Sequence, residues 1–148
     1  MNNEFVRDYE AYEKIDKAYR EAEKAGNEDG MEKARKDYRA WNSGIENKGQ
    51  DYTKIFRLYK DARTVGNTYI DLHDAIWDKD VKGLIGTMRA LGVDRFTFSS
   101  TWSSAVETAW LFQKEGCSLE GLIEINSQHQ AFMSDEYEKA HGYLFRIN

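Results

Sequence analysis

RFTFSSTWSSAVETAWLFQKEGCSLEGLIEIN, residues 95–126, holds the pattern that decides the fold. Phe96 and Phe98 alternate with Arg95, Thr97 and Ser99, which places the two aromatics on one face of an extended segment. From Trp102 the apolar spacing becomes helical: Trp102, Ala105, Ala109 and Phe112 form a stripe that Val106 and Trp110 widen. Gly116 reads as a C-terminal stop, and Leu122–Ile125 returns to a strand, with Leu122 and Glu124 on one side and Ile123 and Ile125 on the other. Strand, crossover helix and strand make a βαβ-like unit over residues 94–126, and a right-handed crossover sets the second strand parallel to the first. Ser104 followed by Glu107 fits a capping box for the helix, with Ser100 or Thr101 as earlier starts.

Outward from this unit the elements are mostly helical. Phe5, Tyr9, Tyr12, Ile15, Tyr19 and Ala22 step by three or four along an amphipathic helix whose narrow, tyrosine-rich stripe suits a helical neighbour or a partner. GNEDG at 26–30 is a hairpin turn, Met31, Ala34, Tyr38 and Trp41 mark the return helix, and NSGIENKGQ at 42–50 reads as a loop. A third helix over 51–65 carries Tyr52, Ile55, Phe56, Tyr59 and Ala62. Gly66 and Asn67 mark a junction, with Asn67 capping a short helix that bears Tyr69, Ile70, His73, Ile76 and Trp77. Asp80 caps the next helix, with Val81, Leu84, Ile85, Met88 and Leu91 as its buried stripe. Ser127 to His141 is polar and aperiodic, and Tyr143, Phe145 and Ile147 alternate in a last strand of unspecified direction.

The expected class is α+β, with an α/β-like C-terminal core. A helical arm over 1–66, a hairpin plus a third helix, precedes a domain over 67–148. That domain is a small three-stranded sheet packed with helices, containing the unit at 94–126 and the C-terminal strand at 143–148.

Composition bounds the function. The 148 residues are 41% hydrophobic, 32% charged and 14% aromatic, which suits a globular chain with a real core. No apolar run is long enough to span a membrane and none near Met1 resembles a signal core, so a cytoplasmic protein is expected. The single cysteine, Cys117, excludes an internal disulfide and a cysteine-rich zinc site. The net charge of −5 is uneven: residues 1–66 hold 14 basic and 14 acidic side chains, residues 67–148 hold 7 and 12. An acidic C-terminal part disfavours general phosphate binding there and favours a basic protein surface as partner.

Candidate chemistry is sparse. Lys54, Arg57, Lys60 and Arg63, interleaved with tyrosines on the third helix, have the composition of a small RNA-contacting surface, although a solvated helix face is the commoner origin of such a run. Direct nucleic-acid binding is therefore a weak secondary expectation. The hydroxyls from Ser99 to Ser104 lie after a strand and before a helix, where α/β folds place ligands, yet the stretch lacks the glycines of a phosphate loop or nucleophile elbow, and helix capping and turn formation are the commoner origin of such a cluster. Trp102 beside them is a core anchor or an exposed platform. His73 between Asp71 and Asp74 lacks metal-site spacing, and His129 and His141 with Asp135, Glu136 and Glu138 form a site only if folding gathers them. Glu107 and Glu124 fit a cap and an outward strand position better than a carboxylate pair. No cofactor or metal is expected.

Leu91-Gly92-Val93, Phe96-Thr97-Phe98-Ser99-Ser100, Trp102-Ser103-Ser104-Ala105, Glu107, Ala109-Trp110, Phe112, Gly116, Leu119, Gly121-Leu122 and Glu124-Ile125-Asn126 together resemble a small domain of proteins from bacterial plasmids, phages and other mobile elements. Some proteins of that kind resemble anti-CRISPR inhibitors of Cas9. The resemblance implies a non-enzymatic inhibitor that binds a Cas9-type nuclease or its guide complex, and it carries over no active-site residue. Expected partner contacts are Tyr9, Tyr12, Tyr19, Lys54, Arg57, Lys60, Arg63, Ser100 and Trp102. The alternatives are a small enzyme or RNA-processing factor using the Ser99–Ser104 turn or the His129–His141 segment, and a regulatory interaction module.

Overall fold

A computed structural model describes residues 2–73 and 76–148. Its helices are α1 (Asn3–Lys24), α2 (Glu28–Glu46), α3 (Gln50–Val65), α4 (Val81–Ala90, entered through a 3-10 turn at Asp78–Asp80) and α5 (Ala105–Lys114). Its strands are β1 (Ile70–Leu72), β2 (Arg95–Phe98), β3 (Cys117–Gln130) and β4 (Tyr137–Ile147). The class is α+β. Two compact units divide the chain, Met1–Thr53 and Lys54–Asn148, so α3 crosses the division. Gly66 and Asn67 follow the end of α3 inside the second unit.

In the first unit α1 and α2 form a helical hairpin. Asn2 caps α1 by accepting from the Phe5 amide at 3.0 Å, and Asn27 caps α2 through the Gly30 amide at 3.0 Å. Gly26 takes φ 65° in the turn between them. Residues 42–46, expected in a loop, continue α2, because Ile45 is buried and the extra turn brings it inward. Tolerance of Gly44 inside a helix costs less than exposing Ile45 would.

The second unit holds a four-stranded sheet in the order β1-β2-β4-β3, one strand more than expected. The added strand is β1. The segment expected as a helix capped by Asn67 instead runs parallel to β2, with Ile70 beside Phe96 and Leu72 beside Phe98. Tyr69, Ile70, His73, Ile76 and Trp77 fit helical spacing, but a neighbouring strand offered three paired residues and burial of both Ile70 and Leu72. Asn67 caps no helix; its side chain accepts from the Asn126 amide at 2.8 Å and donates to the Asn126 carbonyl at 2.9 Å.

The expected βαβ-like unit is also rearranged. β4 inserts between β2 and β3 and is antiparallel to both, so β2 and β3 point the same way without touching. The adjacent parallel pair is β1 and β2, joined through α4. β3 and β4 extend to Gln130 and Tyr137, so most of the segment from Ser127 to His141 belongs to a long hairpin. Its polar residues alternate on an exposed ribbon and leave no apolar period to read.

The core lies on the helical face of the sheet. Phe112 of α5 meets Phe96, Phe98 and Phe145 at ring-centroid distances of 5.1, 5.1 and 5.2 Å, all edge-on, while Phe96 and Phe145 stack at 5.4 Å. Val81, Leu84, Ile85 and Met88 of α4 are buried with them. Asp80, expected as the cap of α4, makes no side-chain capping bond, because the 3-10 turn before it already leads the chain into the helix. Arg89 closes the end of α5 by donating to the Glu115 carbonyl at 2.7 Å and to that of Asn148 at 3.3 Å.

On the opposite face the hairpin backbone comes close to β2. A Cβ at Gly142 would fall 3.0 Å from the Thr97 Cβ and 3.3 Å from Ile125 Cδ1. Gly142→Ala is therefore expected to cost about 1–3 kcal/mol by overpacking, read as a lower urea midpoint at unchanged slope. Cys117 is buried, and burial pushes its thiol up to about 11. A folded-state pKa raised from 9.0 gives stability that is intact below pH 9 and lost as pH rises through 11. Cys117→Ala should flatten the fall in melting temperature across that window.

Candidate functional site

α5 has two sides of different character. Thr108 and Phe112 point inward; Val106 and Trp110, each two positions from Thr108 and so about 200° around the helix, point out. Val106 is 77% exposed and Trp110 62%. The apolar stripe expected to widen on α5 thus splits, because only the Phe112 side faces the sheet. Trp102, in the turn that feeds α5, is 43% exposed and precedes Val106 by four residues. Its ring meets Trp77 at 5.6 Å, and Trp77 is 59% exposed. This unit thus exposes a contacting Trp77–Trp102 pair and, on the outer side of the helix that follows, Val106 and Trp110 one turn apart, with large side chains in water where a solitary domain would place polar ones.

Polar bonds hold this surface in place. Ser100 Oγ accepts from the Trp102 amide at 3.1 Å and fixes the turn. Thr108 Oγ1 donates to Asp78 Oδ1 at 2.9 Å, tying the 3-10 turn beside Trp77 to α5. Asp71, buried on β1, accepts from Thr97 Oγ1 at 2.7 Å and from Ser99 Oγ at 2.6 Å. These bonds anchor the start of the hydroxyl stretch to the end of the parallel strand pair. Ser104 makes no side-chain capping bond, so the expected capping box with Glu107 does not form; the α5 entry is set by the turn bond from the Ala105 amide to the Trp102 carbonyl at 3.1 Å.

The other residues singled out from the sequence lie elsewhere. In the first unit Tyr9 and Tyr12 meet at 6.0 Å, Tyr12 meets Trp41 of α2 at 5.4 Å, and the Arg35 guanidinium sits 5.6 Å from the centre of the Tyr19 ring. All three tyrosines are half-buried, Tyr12 and Tyr19 engage α2 across the hairpin, and Tyr9 packs beside Tyr12 on α1. Asp8 accepts from Lys48 Nζ and Tyr52 Oη, each at 2.5 Å; burial first, and then this bond, pushes the Tyr52 phenol well above its ordinary range. On α3, Lys54 faces Asp80 at 3.9 Å and the Arg63 guanidinium carbon lies 5.9 Å from the Tyr59 ring centre. Arg57 and Arg63 are exposed, Lys60 half-buried. The structure thus gathers Ser100 and Trp102 with Trp77 at the entry to α5, whose outer side bears Val106 and Trp110, and separates the tyrosines onto α1 and the basic residues onto α3.

The Asp-x-His-Asp string ends at Asp74, which lies outside the described residues. Nε2 of His73 is buried without a hydrogen-bond partner among the described residues. Among those residues no group of three or more His, Cys, Asp or Glu side chains is placed to hold a metal ion. His129 and His141 sit on β3 and β4, exposed. No helix among the described residues is long and apolar enough to cross a membrane. Trp77 and Trp110 were missed as surface residues because aromatic residues at helical spacing read as core.

Residues 54–147 match a family model described as a domain of unknown function (DUF7698), and the match nearly coincides with the second compact unit. No curated protein and no solved structure gives a significant match.

Three of the four tryptophans are in this exposed surface, whereas Trp41 is half-buried and donates through Nε1 to the Asp8 carbonyl at 3.0 Å. Acrylamide should quench most native fluorescence. In the triple variant Trp77→Phe, Trp102→Phe, Trp110→Phe the remaining emission should be blue-shifted and less quenched; unchanged quenching would show that the surface is covered.

Proposed function

This chain belongs to the DUF7698 family, and we propose that it is a non-enzymatic binding protein whose Lys54–Asn148 unit docks on a protein partner through the tryptophan surface. The observation that carries the reading is the exposure of Trp77, Trp102, Val106 and Trp110 around a turn held rigid by Ser100, Thr108 and Asp78. Tryptophan dominates binding hot spots because a large, stiff ring buries much area for little lost entropy. Preformed bonds beneath the rings reduce the ordering cost of association.

The partner's chemistry follows from charge. The whole unit holds 11 basic and 13 acidic side chains, but four of the basic ones are on α3; residues 67–148, which carry Trp77, Trp102 and Trp110, hold 7 basic and 12 acidic side chains and suit a basic surface rather than a phosphate backbone. The sequence resemblance to anti-CRISPR proteins makes a guide-loaded Cas9-type nuclease the first partner to test. Such an enzyme has basic channels for its nucleic acids. The protein would then act in the cytoplasm, as a stoichiometric inhibitor from a mobile element.

The expected result is co-elution with the guide-loaded nuclease on gel filtration and loss of DNA cleavage at equimolar protein. Trp102→Ala and Trp110→Ala should each weaken binding by about tenfold or more without a matching loss of fold by circular dichroism. Separate elution with undiminished cleavage rejects the nuclease as partner. Full affinity in both variants rejects the tryptophan surface as the docking site.

A further inference from the structure

The far end of the β3–β4 hairpin carries a second, unrelated anomaly. Phe132 is 92% exposed and Met133 91% exposed, the two most exposed large apolar side chains described. They are not on a loose loop. The Ser134 amide donates to the Ala131 carbonyl at 3.0 Å, the Ala131 amide to the Glu136 carbonyl at 2.8 Å, and the Glu136 amide to Ser134 Oγ at 3.0 Å. Phe132 and Met133 are thus the two central residues of a closed turn. Met133 has φ 57°, the left-handed region that glycine or asparagine occupies in such turns. Stability alone would place a polar pair with glycine here, so this tip keeps two apolar groups against both solvation and backbone preference.

The charge around the tip selects the occupant. Asp135, Glu136 and Glu138 are exposed beside it. Between residues 127 and 141 the one lysine, Lys139, donates from Nζ to Oδ1 of Asn126, its cross-strand partner, at 2.5 Å. An acidic collar repels an anionic lipid surface and repels the same tip of a second copy. It complements a cationic rim.

We propose that the Phe132–Met133 tip is an insertion wedge for an apolar pocket on a protein partner, rimmed by Lys or Arg side chains that pair with Asp135, Glu136 and Glu138. Phe132 supplies the rigid anchor and Met133 the adaptable one. The turn's internal bonds present both without further ordering. This surface is independent of the tryptophan face, so either can fail alone.

The test places a photo-crosslinking p-benzoylphenylalanine at position 132 of the full chain in cells that carry its gene, with the same probe at Gln128 as control. The expected outcome is a light-dependent adduct on one protein, at apolar residues flanked by Lys or Arg. Against that purified protein, Phe132→Ser with Met133→Gly should weaken affinity at least tenfold. Met133→Gly alone should raise the melting temperature while weakening binding, a split that a merely structural turn would not show. The triple variant Asp135→Asn, Glu136→Gln, Glu138→Gln should flatten the salt dependence of association. Adducts to another copy of this chain, adducts at acidic surfaces, co-sedimentation with phosphatidylcholine–phosphatidylserine vesicles, or labelling no greater than from Gln128 would each overturn the proposal.

Discussion

Phe112 is held edge-on by Phe96, Phe98 and Phe145, with ring centres 5.1 to 5.2 Å away, and much of the second unit is oriented by that contact. Phe112 of α5 packs edge-to-face with three phenyl rings of β2 and β4, electron-poor edge against electron-rich face, and such pairs contribute about 0.5–1.5 kcal/mol each beyond the area they bury. The contact also fixes rotation of α5 about its axis. Once Phe112 faces the sheet, Thr108 follows it one turn earlier, and Val106 and Trp110 must face away. Exposure of the tryptophan surface is therefore a geometric consequence of the core.

A second constraint acts on β3. Its register against β4 slips between Leu119 and Gly121, leaving Glu120 as an extra residue. Before the slip Cys117 and Leu119 stand opposite Ile147 and Phe145; after it Leu122 stands opposite Tyr143, so the even-numbered residues now share the helical side. Ile123 and Ile125 pass to the other face, where Ile125 is buried close to Gly142. The bulged Glu120 is held by Arg95, whose Nε lies 2.7 Å from its Oε1. Asn126, next to Ile125 and on the opposite side of the strand from it, donates through its side-chain amide to the Val65 carbonyl at 2.7 Å, joining the hairpin to the end of α3.

These constraints leave two apolar surfaces that the fold does not use. One is the rigid tryptophan face on α5 and the 3-10 turn; the other is the Phe132–Met133 tip of the hairpin. Each is braced by hydrogen bonds beneath it, so each is preorganised rather than frayed. Tyr12 and Tyr19 of α1, by contrast, spend their rings on α2 and its cation, and the hydroxyls of Thr97 and Ser99 spend their protons on Asp71. Groups that already satisfy one another offer a partner less than groups left open to solvent.

Periodicity by itself determined the α+β class, the helical hairpin at the N-terminus, α3, α4 and the strand–helix–strand succession of 95–126, because each is set by contacts three, four or two residues apart along the chain. Tertiary structure alone decided what depended on distant partners. β1 exists because β2 lies beside it, β4 separates β2 from β3, and α2 runs on to Glu46 because Ile45 found a buried place. The outward turn of Val106 and Trp110 belongs with these: a helix carrying apolar residues on two sides does not state which side meets the sheet, and only the fit of Phe112 among three other phenyl rings resolved it.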